Sequence, residues 1–106
     1  MAALIWCPFP DEASAESAAT TLLDERLVAC ANMIAGVRSL FTWQGERGQG
    51  DEVGVLFKTD ARVLDQAVAR LEMLHPYDAP AIMGWRCDAA GVATAQWLGE
   101  LAETTQ

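Results

Sequence analysis

The sequence predicts one α+β domain over residues 1–106, in which a four-stranded antiparallel sheet carries two helices on one face. Four segments have the alternating or continuous apolar pattern of strands. Two segments between them repeat apolar residues at steps of three and four, as amphipathic helices do. The order βαββαβ, followed by a further helix, is that of a split βαβ arrangement. A chain of this length can bury a single core.

The first predicted strand covers residues 3–9, an apolar run that two prolines bring to an end. A helix is then predicted from about 12 to 29, with Asp11 or Ser14 as its N-cap. Its apolar stripe consists of Ala15, Ala18, Ala19, Leu22, Leu23 and Leu27. These two elements form the first βα unit.

From Ala31 to Trp43 the pattern changes to alternation, which predicts the second strand. Segment 44–51 is rich in glycine and charged residues, and it predicts a loose hairpin tip. The third strand follows as EVGVLFKT, residues 52–59. The centre of the chain is therefore a long hairpin.

Thr59 or Asp60 is expected to cap the second helix, whose apolar stripe runs to Leu74. Pro76 cannot continue a helix, and it also disfavours helical geometry at the residue before it. The second helix should therefore end at His75, the only histidine of the chain.

Two further elements complete the pattern. Residues 81–87 predict a fourth strand. Residues 92–103, VATAQWLGELAE, predict a short terminal helix whose tryptophan and leucines need a surface to pack against.

The central hairpin is too long for the helix beside it. About fourteen helical residues at 1.5 Å each give the second helix a length of roughly 21 Å. About thirteen strand residues at 3.3 Å each give the second strand roughly 43 Å. The overhanging strands would expose unpaired edges, and pairing with copies of the same chain in a cyclic oligomer would cover them. Trp43, beside the hairpin tip, is interpreted as an interface aromatic.

Composition excludes several classes of partner. The net charge is −8, and the seven Lys and Arg residues form no cluster, so we expect no binding to nucleic acid. No apolar stretch approaches the roughly 18 residues of a membrane span, and we expect no membrane partner. The start of the chain lacks the basic region of a signal peptide, and the three cysteines have no CxxC spacing. We expect a cytoplasmic protein with reduced thiols.

Three segments, in this order and at this spacing, resemble a known family: DERLVACANMIAGVRSLFTWQGE (24–46), LFKT (56–59) and HPYDAP (75–80). With the late tryptophan helix, they are similar to the CutA divalent-cation tolerance proteins over roughly residues 3–101. The resemblance implies a ferredoxin-like homotrimer, related in architecture to PII signalling proteins, that binds copper or other divalent ions. It implies no enzymatic activity.

The resemblance assigns metal binding to two residues. Cys30 matches the cysteine of the family's RLxACxN segment, and His75 matches the histidine of its HPYxxP segment. Leu74 stands where some members have a second histidine, and Asp78 stands where glutamate is usual. A thiolate and an imidazole together would suit copper or zinc.

The predicted fold separates these two candidates. The helices of a split βαβ domain run antiparallel, so Cys30, expected at the end of the first helix, and His75, at the end of the second, lie at opposite ends. Only contact between subunits could bring them to one metal ion. From the residues alone, Cys30 can also be a small buried hydrophobe and His75 a helix cap.

A second hypothesis concerns a cleft between subunits. Lys58, Tyr77 and Asp78 could line such a cleft and hold a small anion. The protein would then be a PII-like sensor or scaffold that binds this anion or a partner peptide. Catalysis by a cysteine–histidine pair would need both groups within hydrogen-bond reach, which the predicted fold prevents, so we expect no enzyme.

Overall fold

The computed structural model describes residues 1–104 and confirms the α+β prediction. The strands form one antiparallel sheet in the order β2-β3-β1-β4, and helices α1 and α2 pack on one face of it. In chain order the elements are β1 (Ala2–Phe9), α1 (Glu12–Asp24), β2 (Cys30–Trp43), β3 (Glu46–Asp60), a 3-10 turn (Ala61–Val63), α2 (Leu64–Leu74), β4 (Met83–Arg86) and α3 (Val92–Thr104).

The core lies between the sheet and helices α1 and α2, because alternate residues of β1 and β3 point to the same face. The sheet contributes Ala3, Ile5, Cys7, Phe9, Val55 and Phe57 to this core. The helices contribute Ala15, Ala18, Ala19, Leu22, Leu64, Ala67 and Leu71. Most of the predicted apolar stripe of α1 is therefore confirmed, while Leu23 is exposed.

Helix α1 is shorter than the predicted 12–29. Asp11 caps its start as expected, since the Asp11 carboxylate accepts a hydrogen bond of 2.8 Å from the Ser14 N–H. Its end is a Schellman motif, in which the N–H of Leu27 donates to the Leu22 carbonyl at 2.9 Å and Arg26 has a φ of 60°. Apolar spacing beyond residue 24 did not reveal this stop because the left-handed residue is an arginine and not the usual glycine.

Cys30 consequently does not lie at the end of a helix. It is the first residue of β2, where it pairs with Lys58 of β3. The expected position of Cys30 was wrong for the same reason as the helix boundary.

The predicted loose tip over residues 44–51 is also wrong. Strands β2 and β3 remain paired as far as Trp43 and Glu46, and only Gln44 and Gly45 form the turn. Both have positive φ, 52° and 82°, as in the type I′ turns that suit two-residue hairpins. The glycines and charged residues suggested a loop, but two strands pair through their backbone hydrogen bonds, which these residue types do not prevent.

The distal part of this hairpin, residues 37–51, is named the arm. A register shift between Ile34 and Val37, with Gly36 at a φ of 78°, separates it from the part of β2 that belongs to the main sheet. The arm carries exposed Leu40, Phe41 and Trp43, and the protomer extends 43 Å along its longest axis. These dimensions agree with the expected overhang of the hairpin.

The sheet face opposite α1 and α2 is named the open face. Helix α3 packs against β1 and β3 with Leu98 and Leu101 buried, and the Gly99 carbonyl accepts a hydrogen bond of 3.2 Å from Arg62. Strand β4 is shorter than the predicted 81–87 and forms one edge of the sheet. By strand pairing, the open face carries Leu4, Trp6, Cys30, Asn32, Ile34, Leu56, Lys58, Met83 and Trp85. Among residues 1–104 no helix is long and apolar enough to cross a membrane.

Candidate functional site

The imidazole of His75 lies at the end of the domain where β1 and α2 both terminate. Pro76 ends α2 at this residue, as predicted, and the side chain is turned inward with only 7 % of its surface exposed. Its ring stacks on Phe9 at a centroid distance of 4.4 Å and an angle of 22°. The ring of Tyr77 lies on it at 4.8 Å. His75 is therefore built into the core at this end.

Both ring nitrogens of His75 already have partners. Nε2 lies 2.7 Å from the carbonyl oxygen of Pro8, which can only accept a hydrogen bond. Nδ1 accepts a hydrogen bond of 3.1 Å from the backbone N–H of Tyr77. The two partners fit a neutral imidazole with its proton on Nε2. The lone pair of Nδ1 is then used by the Tyr77 N–H.

Tyr77 extends this arrangement to the surface. Its hydroxyl donates a hydrogen bond of 3.0 Å to the carboxylate of Glu52 on β3. Partial burial raises the pKa of Tyr77, and the hydrogen bond to Glu52 and the negative charges of Glu52 and Asp11 raise it further. The groups around the tyrosine are thus acidic, which favours a cation over an anion beside it.

Cys30 has a different environment on the open face. Its thiol is half-buried and donates one weak hydrogen bond, of 3.7 Å, to the side-chain oxygen of Asn32. Lys58 is its direct neighbour across the strands. Cys7, by comparison, is fully buried, and burial followed by the charge of Glu52 raises its thiol pKa to about 12, so that it is an inert core residue.

The structure does not bring Cys30 and His75 together within one protomer. Cys30 pairs with Lys58 of β3, and Lys58 in turn pairs with Leu4 of β1. The His75 ring contacts Pro8, four residues further along β1. Four residues correspond to about 13 Å along a strand. The two residues are also on opposite faces, since His75 stacks on Phe9 of the core face. Their separation, which the fold predicted, is present.

Lys58 and Tyr77 are also apart. Tyr77 binds Glu52, six residues from Lys58 on β3, or roughly 20 Å along the strand. Asp78 is exposed beside Tyr77. The three residues of the predicted cleft therefore do not line one cavity in a single protomer.

Known proteins give the family of the chain. A family model described as the CutA1 divalent ion tolerance protein matches residues 3–101. The divalent-cation tolerance protein CutA of Pyrococcus horikoshii is 38% identical over 97 residues, which are 92% of this chain and 94% of that protein. That of Thermus thermophilus is 34% identical over 91 residues, 86% of this chain and 88% of that protein. The chain belongs to the CutA1 family.

Solved structures of CutA proteins have the same fold. The crystal structure of CutA from Xylella fastidiosa superimposes with a TM-score of 0.89 at 32% sequence identity, covering 94% of this chain and 96% of that one. CutA1 from Pyrococcus horikoshii gives a TM-score of 0.85 at 36% identity, covering 93% and 96%. The resemblance noted in the sequence is thereby confirmed, including the ferredoxin-like order of elements.

A metal site suited to the CutA1 family name is not complete in one protomer. Within residues 1–104, no group of three or more His, Cys, Asp and Glu side chains is arranged to hold a metal ion. His75 could offer a lone pair only by losing its bond to the Tyr77 N–H. Cys30 has a half-buried sulfur, and it belongs to no group of metal-ligating side chains among the described residues.

Sequence reasoning missed the partners of His75 in this CutA1 chain. Pro8 and Phe9 contact His75, and Glu52 contacts Tyr77; all three are distant in sequence, and none belongs to a motif. The only available signal was the position of Pro8 at the end of a buried strand, where its carbonyl needs a donor.

Proposed function

We propose that this CutA1 protein is a non-enzymatic, cytoplasmic homotrimer that binds copper or another divalent ion and thereby contributes to cation tolerance. Family membership supports the divalent cation. The observation that carries the rest is the position of the half-buried Cys30 thiol on a sheet face where Ile34 and Trp85 remain exposed in one protomer. A second subunit on this face is the means to complete both the fold and the site.

The trimer is supported by the apolar surface of the open face. Ile34, Met83 and Trp85 are 47 %, 61 % and 45 % exposed, although large apolar side chains on a sheet normally face a second layer. The Trp6 ring lies across Gly54, where a Cβ atom would collide with it, so this part of the face is flat. Together with the aromatic residues of the arm, the face offers subunits an extended apolar contact.

The metal proposal rests on the chemistry of Cys30. A thiolate is a soft ligand that suits Cu(I), and it also binds Cu(II) and Zn(II). Because one sulfur and an amide oxygen do not form a strong site, the remaining ligands have to come from another subunit. Assembly and metal binding are therefore coupled in this proposal.

Copper titration and sedimentation test the proposal together. Sedimentation at micromolar concentration should give about three times the chain mass of 11.4 kDa. Cys30→Ser should weaken the binding of Zn²⁺, and of Cu(I) added in a reducing buffer, at least tenfold. The matched control is Cys87→Ser, another half-buried thiol, which should leave binding unchanged. A monomer, or equal affinity in all three proteins, would contradict the proposal.

The PII-like alternative receives less support. A cleft for an anion needs Lys58 beside Tyr77 and Asp78, and the groups around Tyr77 in its own protomer are acidic.

The cellular location is a separate question. A solved relative at 25% identity is described as a periplasmic divalent cation tolerance protein CutA, from Archaeoglobus fulgidus. Fractionation of the host cell separates that location from the cytoplasmic one proposed here.

A further inference from the structure

His75 is held on every side by its own chain. Two hydrogen bonds, to the Pro8 carbonyl and from the Tyr77 N–H, fix the ring in its plane. The Phe9 ring stacks on the imidazole, and the Tyr77 ring contacts it at an interplanar angle of 46°. A histidine binds a metal ion through the lone pair of one ring nitrogen, whereas this ring is buried and its Nδ1 lone pair accepts from the Tyr77 N–H.

The chemistry of the partners decides the protonation of the ring. A carbonyl oxygen can only accept, so Nε2 must carry a hydrogen atom. A backbone N–H can only donate, so Nδ1 must present its lone pair. No other arrangement satisfies both contacts, and this one leaves no lone pair for a metal ion.

The bonds also explain why a histidine is placed here. Pairing between β1 and β4 ends at Trp6 and Met83, so Pro8 lies beyond the end of β4. The imidazole N–H supplies the donor that a longer β4 would have supplied to the Pro8 carbonyl. On its other side, the ring holds the first residues of the link between α2 and β4, through the Tyr77 N–H.

We propose that His75 is a positioning residue and not a metal ligand: as a neutral imidazole protonated on Nε2, it ties the turn after α2 to the end of β1 and so places the Tyr77 hydroxyl on Glu52. This inference deepens the proposed function and rests on it in one respect. It removes His75 from the two candidate metal ligands and leaves Cys30. It departs from the role that the family resemblance assigned to His75.

The first test is ¹⁵N nuclear magnetic resonance of the histidine side chain, at neutral to mildly alkaline pH. The chain has one histidine, so its two ring signals need no assignment by mutation. We expect Nε2 to show the shift of a protonated nitrogen and Nδ1 that of an unprotonated one. Addition of Zn²⁺, or of Cu(I) in reducing buffer, should leave both signals in place. A metal-induced change at either nitrogen would overturn the proposal.

The second test asks whether His75 positions Tyr77 or only stabilises the fold. Hydrogen exchange of the Tyr77 amide should become at least tenfold faster in His75→Ala, while the Leu71 amide in the body of α2 keeps its protection. His75→Asn, whose side-chain oxygen can accept from the Tyr77 N–H, should restore much of the protection. Equal exchange of Tyr77 in wild type and His75→Ala would count against the proposal.

These results separate the two proposals. A wild-type protein that binds no copper removes the proposed function, but the ring signals and Tyr77 exchange still decide the role of His75. If His75→Ala does not fold, the ring signals of the wild-type protein with and without metal decide it alone. Copper binding that is lost in both His75→Ala and His75→Asn, with both proteins folded, would restore His75 as a ligand.

Discussion

The His75 end of the domain and the open face of the sheet differ in how completely one protomer provides partners for their side chains. At the His75 end, an imidazole, a phenol and a carboxylate all have partners within the chain. On the open face, the Cys30 thiol has one weak partner among the described residues, and the Ile34 and Trp85 side chains are 47 % and 45 % exposed. The His75 end is called the finished end because folding of one chain provides its partners, and the open face is called the unfinished face because a second subunit could cover it. An accessible metal ligand is therefore expected on the unfinished face.

The largest expected effect concerns the finished end. Phe9 is fully buried and stacks on His75, so Phe9→Ala removes both core volume and the support of the imidazole. The free energy of unfolding should fall by about 3–5 kcal/mol. Met73→Ala, on a side chain that is 76 % exposed, is the control and should change it by less than about 0.5 kcal/mol. Urea denaturation of both variants measures this, and similar midpoints would show that this end is not closely packed.

The next effect concerns the unfinished face. Trp85→Glu places a charge where a subunit contact is proposed, and loss of one buried apolar side chain corresponds to about 2–3 kcal/mol. A trimer loses three such side chains, and its midpoint concentration varies with the square root of its dissociation constant, so dissociation to protomers should occur at roughly 150- to 2,000-fold higher protein concentration than in the wild type. Glu72→Ala, on the exposed side of α2, is the control. Sedimentation over a range of concentrations gives the mass, and an unchanged assembly would exclude Trp85 from the interface.

Asp60, at the end of β3, is expected to show an effect of intermediate size. Its carboxylate is fully buried beside α3, and burial alone would raise its pKa. Hydrogen bonds from the Arg62 side chain and N–H, and from the Met1 ammonium, outweigh burial and lower the pKa below 3.8. Because the folded state has the lower pKa, this stabilisation is present above about pH 4 and is lost as the pH falls through the folded value.

Asp60→Asn tests this contribution. The variant should lose about 1–3 kcal/mol at neutral pH, since a charge-assisted network is weakened. The loss should shrink in acid, where wild-type Asp60 becomes protonated. Thermal unfolding from pH 2 to pH 7 measures the difference between the two proteins. A difference that stays constant over this range would mean that the charge of Asp60 is not the source.

The sequence predicted the order of elements because each segment carries its own pattern. Pro76 alone fixed the end of α2, whereas Asp60, one of the two expected caps of α2, instead caps the 3-10 turn before it. The end of α1 was missed because Arg26 adopts a left-handed conformation that its residue type does not announce. The hairpin tip was missed because Gly48, which suggested a loop, lies under the Phe41 ring in a paired strand.

The candidate site was harder to predict than the fold. Cys30 and His75 were identified from motifs, and their separation followed from topology. The bonds of the imidazole could not be foreseen, because Pro8 is 67 residues away and contributes only a backbone oxygen, which every residue has. A motif identifies a side chain, but the long-range contacts decide whether its lone pair is free.

The smallest expected effect lies at the rim of the finished end, where Tyr77 meets Glu52. Since the chain has one tyrosine, phenolate absorbance against pH reports Tyr77 alone. In Glu52→Gln the pKa of Tyr77 should fall toward its usual value near 10, because the hydrogen bond and the negative charge of Glu52 both raise it in the wild type. Arg38→Gln in the arm is the control and should not move it. An unchanged pKa in Glu52→Gln would mean that burial alone sets it, and that the hydroxyl is not held on Glu52 in solution. The finished region would then end at the His75 ring, and the Tyr77 hydroxyl would be free to contact a neighbouring subunit.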